Sequence, residues 1–418
     1  MWILGLVVGL SAIYAIYGAV VTSPYQRRFA GDLPPDENID GYLKPREIVD
    51  ADEDAVARRV AARIAADSLR RPRHAGRNDP MFHEPHWGHT SGLLRGELVV
   101  DRIDALPARF RVGLFSAPGT FPLVARAGIA KDPTIGFAVN RVALKLKYPR
   151  PVPNVYAPDG TASELDLLLA EGQPGVNATG HEFFVRDGRQ MDMATALKPP
   201  TAATLGVLSN WRNLATLKGV LGTVGSLMKP VRTAPADAVG WAGKTYFSLG
   251  PFALGEGAMK FCLVPRQAHH TTSIDPMKGD PAPHHRHVMK DWLAKGQDAE
   301  FDLCVQLATP DCIPTPGPSD PPKAVMAAEY CDIHWDEEAA PYVPVGRVTI
   351  LASDAIDAME HWAPLQFNAW NTFHDMRPLG QLFRLRKHAH AAHSEARVSH
   401  LYGATPGEMV GKCPFGQA

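Results

Sequence analysis

Apolar residues run without a single charge from Met1 to Val21, and after that the chain breaks into short alternating stretches. Roughly twenty apolar residues is the length at which a helix crosses a bilayer, so residues 1–22 are expected to form a transmembrane anchor. A secretory signal usually opens with a basic region, which this segment lacks, although an export signal with the body in the periplasm stays open as the alternative. Arg27 and Arg28 follow directly. The positive-inside rule then puts the body on the cytoplasmic side of a single-pass protein. Residues 23–48 are polar and proline-bearing and read as a linker. Over 50–70, Val56, Val60 and Ile64 recur four apart with Ala57 and Ala61 beside them, which predicts an amphipathic helix, acidic at its start and arginine-rich at its end.

Strand-like stretches dominate the remainder: Gly96–Ile103, Phe110–Phe115, Ile135–Tyr148, Glu182–Arg186, Thr245–Leu249, Met259–Val264, Glu300–Leu307 and Arg347–Leu351. Several alternate apolar with polar residues, as half-buried antiparallel strands do. Helical patterns fill 204–228 and 380–400, while 266–296 and 308–325 read as loops rich in Pro, His and Asp. Strands in succession, with helices grouped elsewhere, predict an α+β barrel-type domain.

The chain has 418 residues with a net charge of -1, so no basic field recruits nucleic acid. Five cysteines, none in a C-x-x-C pair, read as buried reduced thiols rather than a disulfide or zinc framework. Three local patterns fall short of a site. Gly240-Trp-Ala-Gly-Lys-Thr245 has the wrong glycine spacing for a phosphate loop. His181-Glu182 lacks the second histidine of a zinc protease. The loop histidines His269, His270, His284, His285 and His287 read as solvated.

Four segments, in order, carry a resemblance. They are Gly92-Leu-Leu-Arg-Gly-Glu97 with Leu106 to Phe115; Pro118-Gly-Thr-Phe-Pro122 with Arg126, running to Val139; Glu182-Phe-Phe-Val-Arg-Asp187; and Phe367-Asn-Ala-Trp-Asn-Thr-Phe-His-Asp-Met-Arg-Pro-Leu-Gly380 with the helix bearing Arg384 and Arg386. Together, over about residues 80–400, they resemble the haem catalase superfamily, and within it the small bacterial catalase-related proteins. The resemblance implies an antiparallel β-barrel with surrounding helices, here over 49–410, holding haem b and its iron. It also implies a substrate that is hydrogen peroxide or an organic or fatty-acid hydroperoxide.

Position by position, the resemblance implies the following. The family holds the iron by a tyrosinate four residues after an arginine on one helix face, where the cation lowers the phenol pKa. The arginine matches Arg386 and the tyrosine is replaced by His390, which would be the metal ligand; the competing reading makes it one of several surface histidines with His388, His393 and His400. Histidine is a competent haem ligand but a weaker electron donor than tyrosinate. The distal acid-base histidine falls to His86 or His89, neither in exact register, with His83 more distant. The distal asparagine matches Thr179, with Asn177 two residues before it. Arg126 matches an arginine that pairs with haem carboxylates, whereas a second such arginine is Ile135 here. Phe183 or Phe184 would pack on the porphyrin.

Two functions follow from this pattern. One is a membrane-anchored haem peroxidase or catalase-like oxidoreductase. The other is a non-catalytic relative that binds haem or lipid or serves as an interaction module.

Overall fold

The computed structural model describes residues 33–70, 88–131, 138–171, 241–267, 292–317, 320–331, 333–356 and 365–402. Its centre is a closed ring of eight antiparallel strands, with a ninth strand attached. The chain enters through a small hairpin, β1 (Asn38–Ile39) and β2 (Tyr42–Leu43), whose turn residues Asp40 and Gly41 have φ of 52° and 87°. Two positive φ values in succession are what a tight two-residue hairpin turn demands, and Asp-Gly supplies them cheaply. Helix α1 (Glu53–Arg70) follows, with Glu53 and Asp54 in its first turn, where the helix dipole favours acids. Its stripe Val56, Ala57, Val60 and Ala61 is buried, as the spacing predicts.

The ring runs β3 (Gly88–Val100), β4 (Gly119–Lys131), β5 (Ala138–Pro153), β6 (Thr161–Glu171), β7 (Tyr246–Ser248), β9 (Gly257–Pro265), β10 (Ala299–Leu307) and β11 (Val343–Ile356), and β11 returns to β3. The short β8 (Phe252–Leu254) pairs with β9 outside the ring. Its other edge is covered by the 375–379 segment: Ala253 N–H donates to Arg377 O at 2.8 Å, Gly255 N–H to Asp375 O at 2.9 Å, and Phe252 bridges to Pro378.

Register explains the interior. Leu94 pairs with Ala125, Ala125 with Leu144, and Leu144 with Leu167. On the far side Leu98 pairs with Val348 and Val348 with Phe301. All are buried, so one face of the strands fills the barrel with apolar side chains. Each such leucine contributes about 2 kcal/mol on leaving water. The opposite face is different. Arg126, Lys145 and Asp166 fall on it in three adjacent strands, and its partners are loops and helices.

The strands expected near Thr245, Met259, Glu300 and Arg347 are present as β7, β9, β10 and β11, and those expected near Gly96 and Ile135 as β3 and β5. Phe110–Phe115 is not a strand. It forms two short 3-10 turns, Ala108–Phe110 and Gly113–Phe115, because Pro107 precedes it and Gly113 sits at φ 54°. Its apolar residues Phe110, Leu114 and Phe115 are nonetheless buried. The stretches 182–186 and 204–228 lie outside the described residues, as does the apolar segment 1–22. Among the described residues no helix is long and apolar enough to cross a membrane. Cys262, Cys304, Cys312 and Cys331 are buried free thiols, as expected.

Helix α2 (Lys323–Glu329), which begins at the end of the stretch 308–325 read as loop, ends in a carboxylate with no solvent exposure. Glu329 accepts from Ile48 N–H at 2.7 Å and, at the start of α3 (Gln381–Tyr402), from Gln381 N–H at 2.9 Å. Gly380 N–H donates to Glu47 at 3.0 Å. Carboxylates thereby receive backbone donors that the first turn of α3 leaves without helical partners. Arg384 lies among them, bonded to Glu47 and Glu53 and, at 3.2 Å, to Glu329. Burial works against its charge, but the hydrogen bond to Glu53 and the charges of Glu329, Glu53 and Glu47 hold its pKa above the ordinary value. Breaking a buried ion pair by removing one partner costs about 3 kcal/mol or more. Glu329→Gln keeps the shape but not the charge and is expected to lower the urea midpoint accordingly. An unchanged midpoint would mean that Glu47 and Glu53 suffice.

Candidate functional site

The segment 365–373 is wedged between α3 and the polar outer face of β4, β5 and β6. Its place is fixed by backbone and side-chain hydrogen bonds on both sides. Asp166 N–H donates to Asn371 O at 2.8 Å, and Asp166 Oδ2 accepts from Asn368 N–H at 2.9 Å. Asn154 donates to Asn371 Oδ1 at 2.8 Å. Towards the helix, the Trp370 indole N–H donates to Phe383 O at 2.7 Å.

Phe367 is the meeting point. The Arg126 guanidinium lies 4.5 Å from its ring centroid and Lys145 Nζ 5.3 Å away. Its carbonyl oxygen lies 3.1 Å from Nδ1 of His390. A carbonyl only accepts, so Nδ1 carries the proton of this contact. Arg386, one helical turn before His390, is 3% exposed, with its guanidinium 5.5 Å from the Phe383 ring.

Behind this junction lies a buried ion group. Lys145 Nζ reaches Asp166 Oδ1 at 2.7 Å and Glu164 Oε2 at 3.1 Å. Burial disfavours the ammonium, but Asp166 and Glu164 outweigh it and raise the Lys145 pKa. Burial raises the phenol pKa of Tyr156, which lies beside Asn368.

Of the residues singled out in the sequence, Arg126 and His390 are thus joined through one side chain and its carbonyl, with Arg386 on the same helix. The backbone of His89 lies in β3 opposite Ile129. His86, Asn177, Thr179, Phe183 and Phe184 lie outside the described residues. The β3 residue opposite Arg126 is Leu93, which is buried and aliphatic. Lys145 and Asp166 escaped the sequence reading. Lys145 sits in an alternating Leu-Lys-Leu-Lys run that looks like a solvated face, and the strand carrying its partner, β6, was not recognised.

No family model matches the sequence, and no curated protein matches it. Solved structures do. A fungal catalase superposes with a TM-score of 0.52 at 15% identity, over 84% of this chain and 64% of that one. A bacterial catalase gives 0.50 at 15%, over 91% of this chain and 70% of the other. Catalase A from Saccharomyces cerevisiae gives 0.51 at 14%, over 91% and 72%. The chain has a catalase-like fold. At such identity the likeness is one of architecture, and the chain spans less than two thirds of the fungal catalase's length. Within this catalase-like fold the ion group is testable. Asp166→Ala is expected to cost about 3 kcal/mol in urea unfolding, because it leaves Lys145 poorly compensated. The double replacement Lys145→Met with Asp166→Leu is expected to recover most of that loss; a double variant as unstable as the single one would give the pair a role beyond charge matching.

Proposed function

We propose that this protein is a catalase-related haem protein that reacts with hydrogen peroxide or with organic and fatty-acid hydroperoxides, held at a membrane by residues 1–22. The observation that carries the reading is the hydrogen bond from His390 Nδ1 to Phe367 O. Metal-binding histidines characteristically donate their other ring proton to a carbonyl or carboxylate, which fixes the tautomer and makes the free nitrogen a better donor. The donor set therefore fits haem b: His390 Nε2 as the iron ligand, and Arg126 and Arg386 as guanidinium partners for porphyrin carboxylates. When bound, the haem supplies an iron centre for peroxide chemistry.

The protein's own residues define what kind of chemistry. A neutral imidazole gives the iron less electron density than a tyrosinate, so peroxidase-like behaviour is expected over catalase turnover. Phe367 couples the ligand to the barrel, since the same residue that accepts from His390 stacks on Arg126. His86 or His89 would move the peroxide proton, and Thr179 or Asn177 would hydrogen-bond the peroxide. One observation favours a second reading. Leu93, opposite Arg126, offers no proton, as suits a protein that binds haem without turnover.

The deciding experiment is an absorption spectrum of the protein produced with haem supplied. A stoichiometric Soret band that shifts with hydrogen peroxide or a fatty-acid hydroperoxide supports the enzyme, and a band that ignores both supports the binding protein. Folded protein without a band overturns haem binding altogether. His390→Ala is expected to abolish haem retention; full haem content in that variant would remove His390 as the ligand.

A further inference from the structure

Cys262 and Cys304 face each other directly across β9 and β10. Their position in the ladder follows from its ends. Ala308 N–H donates to Ala258 O at 2.9 Å, and Arg266 N–H to Glu300 O at 2.9 Å. Hydrogen-bonded pairs recur every second residue, so 304 and 262 form one such pair. Their Cα atoms are then about 5.5 Å apart, inside the range of about 4.4–6.8 Å that a disulfide spans. Their Cβ atoms, at about 4.5–5.5 Å, must approach by up to an ångström or more to reach disulfide geometry.

The side chains are already engaged with each other. The interaction between them works in opposite senses: together with burial it raises the pKa of Cys262, and it lowers that of Cys304, whose thiol also donates to Asp302 O at 3.8 Å. Both are buried, at 1% and 6% exposure, on the outer face of the ring. Tyr342 lies close enough to feel both charges, and Glu337 that of Cys262. The ladder is interrupted where it would seal Cys304. The β10–β11 register shifts between Leu303 and Cys304, and the β11 residue opposite is Pro344, which has no N–H to give. In ring order β9 and β10 lie across from β5, so the couple is separate from the His390 site.

We propose that Cys262 and Cys304 are a redox couple, in which a hydroperoxide oxidises Cys304 and Cys262 resolves the product as a cross-strand disulfide. The Cys304 thiolate attacks the outer oxygen of ROOH, the O–O bond breaks, and RO⁻ leaves and takes up a proton as ROH. Cys304 is then a sulfenic acid. The Cys262 sulfur displaces the hydroxyl from Cys304 sulfur, and the hydroxyl leaves as water with the Cys262 proton. The thiols have been oxidised by two electrons and the peroxide reduced by two. Closure of a hydrogen-bonded strand pair stores strain, which makes the bond readily reducible, as a reversible couple requires.

The test uses the full chain, folded, treated with hydrogen peroxide, then alkylated in denaturant and digested without reduction for mass spectrometry. The expected result is a peptide linked through Cys262 and Cys304, lighter by two hydrogens and reopened by dithiothreitol, with loss of two of the five titratable thiols. In Cys262→Ser the reaction is expected to stop at a sulfenic acid on Cys304 that dimedone captures. In Cys304→Ser, Cys262 is expected to stay a thiol. Recovery of both cysteines alkylated in the wild-type chain, at peroxide that oxidises a free thiol in the same tube, would overturn the proposal, as would a link between other cysteines. Dimedone on Cys262 of Cys304→Ser at the wild-type rate would overturn the assignment of the attacking sulfur.

Discussion

Arg384 gathers Glu47, Glu53 and Glu329 around one guanidinium, and these carboxylates belong to the entering arm, to α1 and to α2. Without that cation three carboxylates would crowd one place at the helix start, offset there by Arg377 on Glu47 and the N–H groups of Gly380 and Gln381. With it, α3 is fixed at its start, α1 lies along it, and the rotation of α3 about its axis is set. That rotation turns His390, less than two turns further on, towards the Phe367 carbonyl. The geometry of the candidate site is thus inherited from a charge arrangement at the helix start. Its cost is desolvation of the ions, offset by hydrogen bonds to nearly every carboxylate oxygen involved.

A second charge group, Lys145 with Asp166 and Glu164, does the corresponding work from the barrel side. It anchors the segment carrying Phe367 through the Asn368 and Asn371 backbone. Phe367 is then held at its ring by cations on the strands and at its carbonyl by a histidine on the helix. Barrel and helix both touch Phe367, so its displacement would reach Arg126 and His390 together.

What could be read in advance followed the physics of local patterning. β7, β9, β10 and β11 were legible as short apolar-rich stretches, with alternating burial in β7 and the start of β10, although β9 is buried on both faces from Gly257 to Leu263. The α1 stripe was legible at helical period. β4 and β6 were not read as strands. β4 carries Gly119, Pro122 and a run of small residues, and the second half of β6, Leu165 to Ala170, is buried throughout with Asp166 as its one charged residue, so alternation fails there. Phe110–Phe115 misled because its burial comes from turns rather than from a sheet. Of the site, Arg126, Arg386 and His390 were legible through resemblance. Lys145–Asp166 and Leu93 were not, because pairing across strands is a property of register, which one chain read end to end does not display.

The closed ring has a further consequence. A sheet with an open side presents unpaired N–H and C=O groups that can template another chain, and proteins must defend such sides. Here the ring returns on itself, and the one strand outside it, β8, has its outer side occupied by residues 375–379, with a proline at its bridge. Closure thereby removes the two free edges that the same strands would present in an open sheet. Self-association through the ring then falls to side chains, where it can be tuned residue by residue, rather than to the indiscriminate adhesiveness of a bare sheet edge.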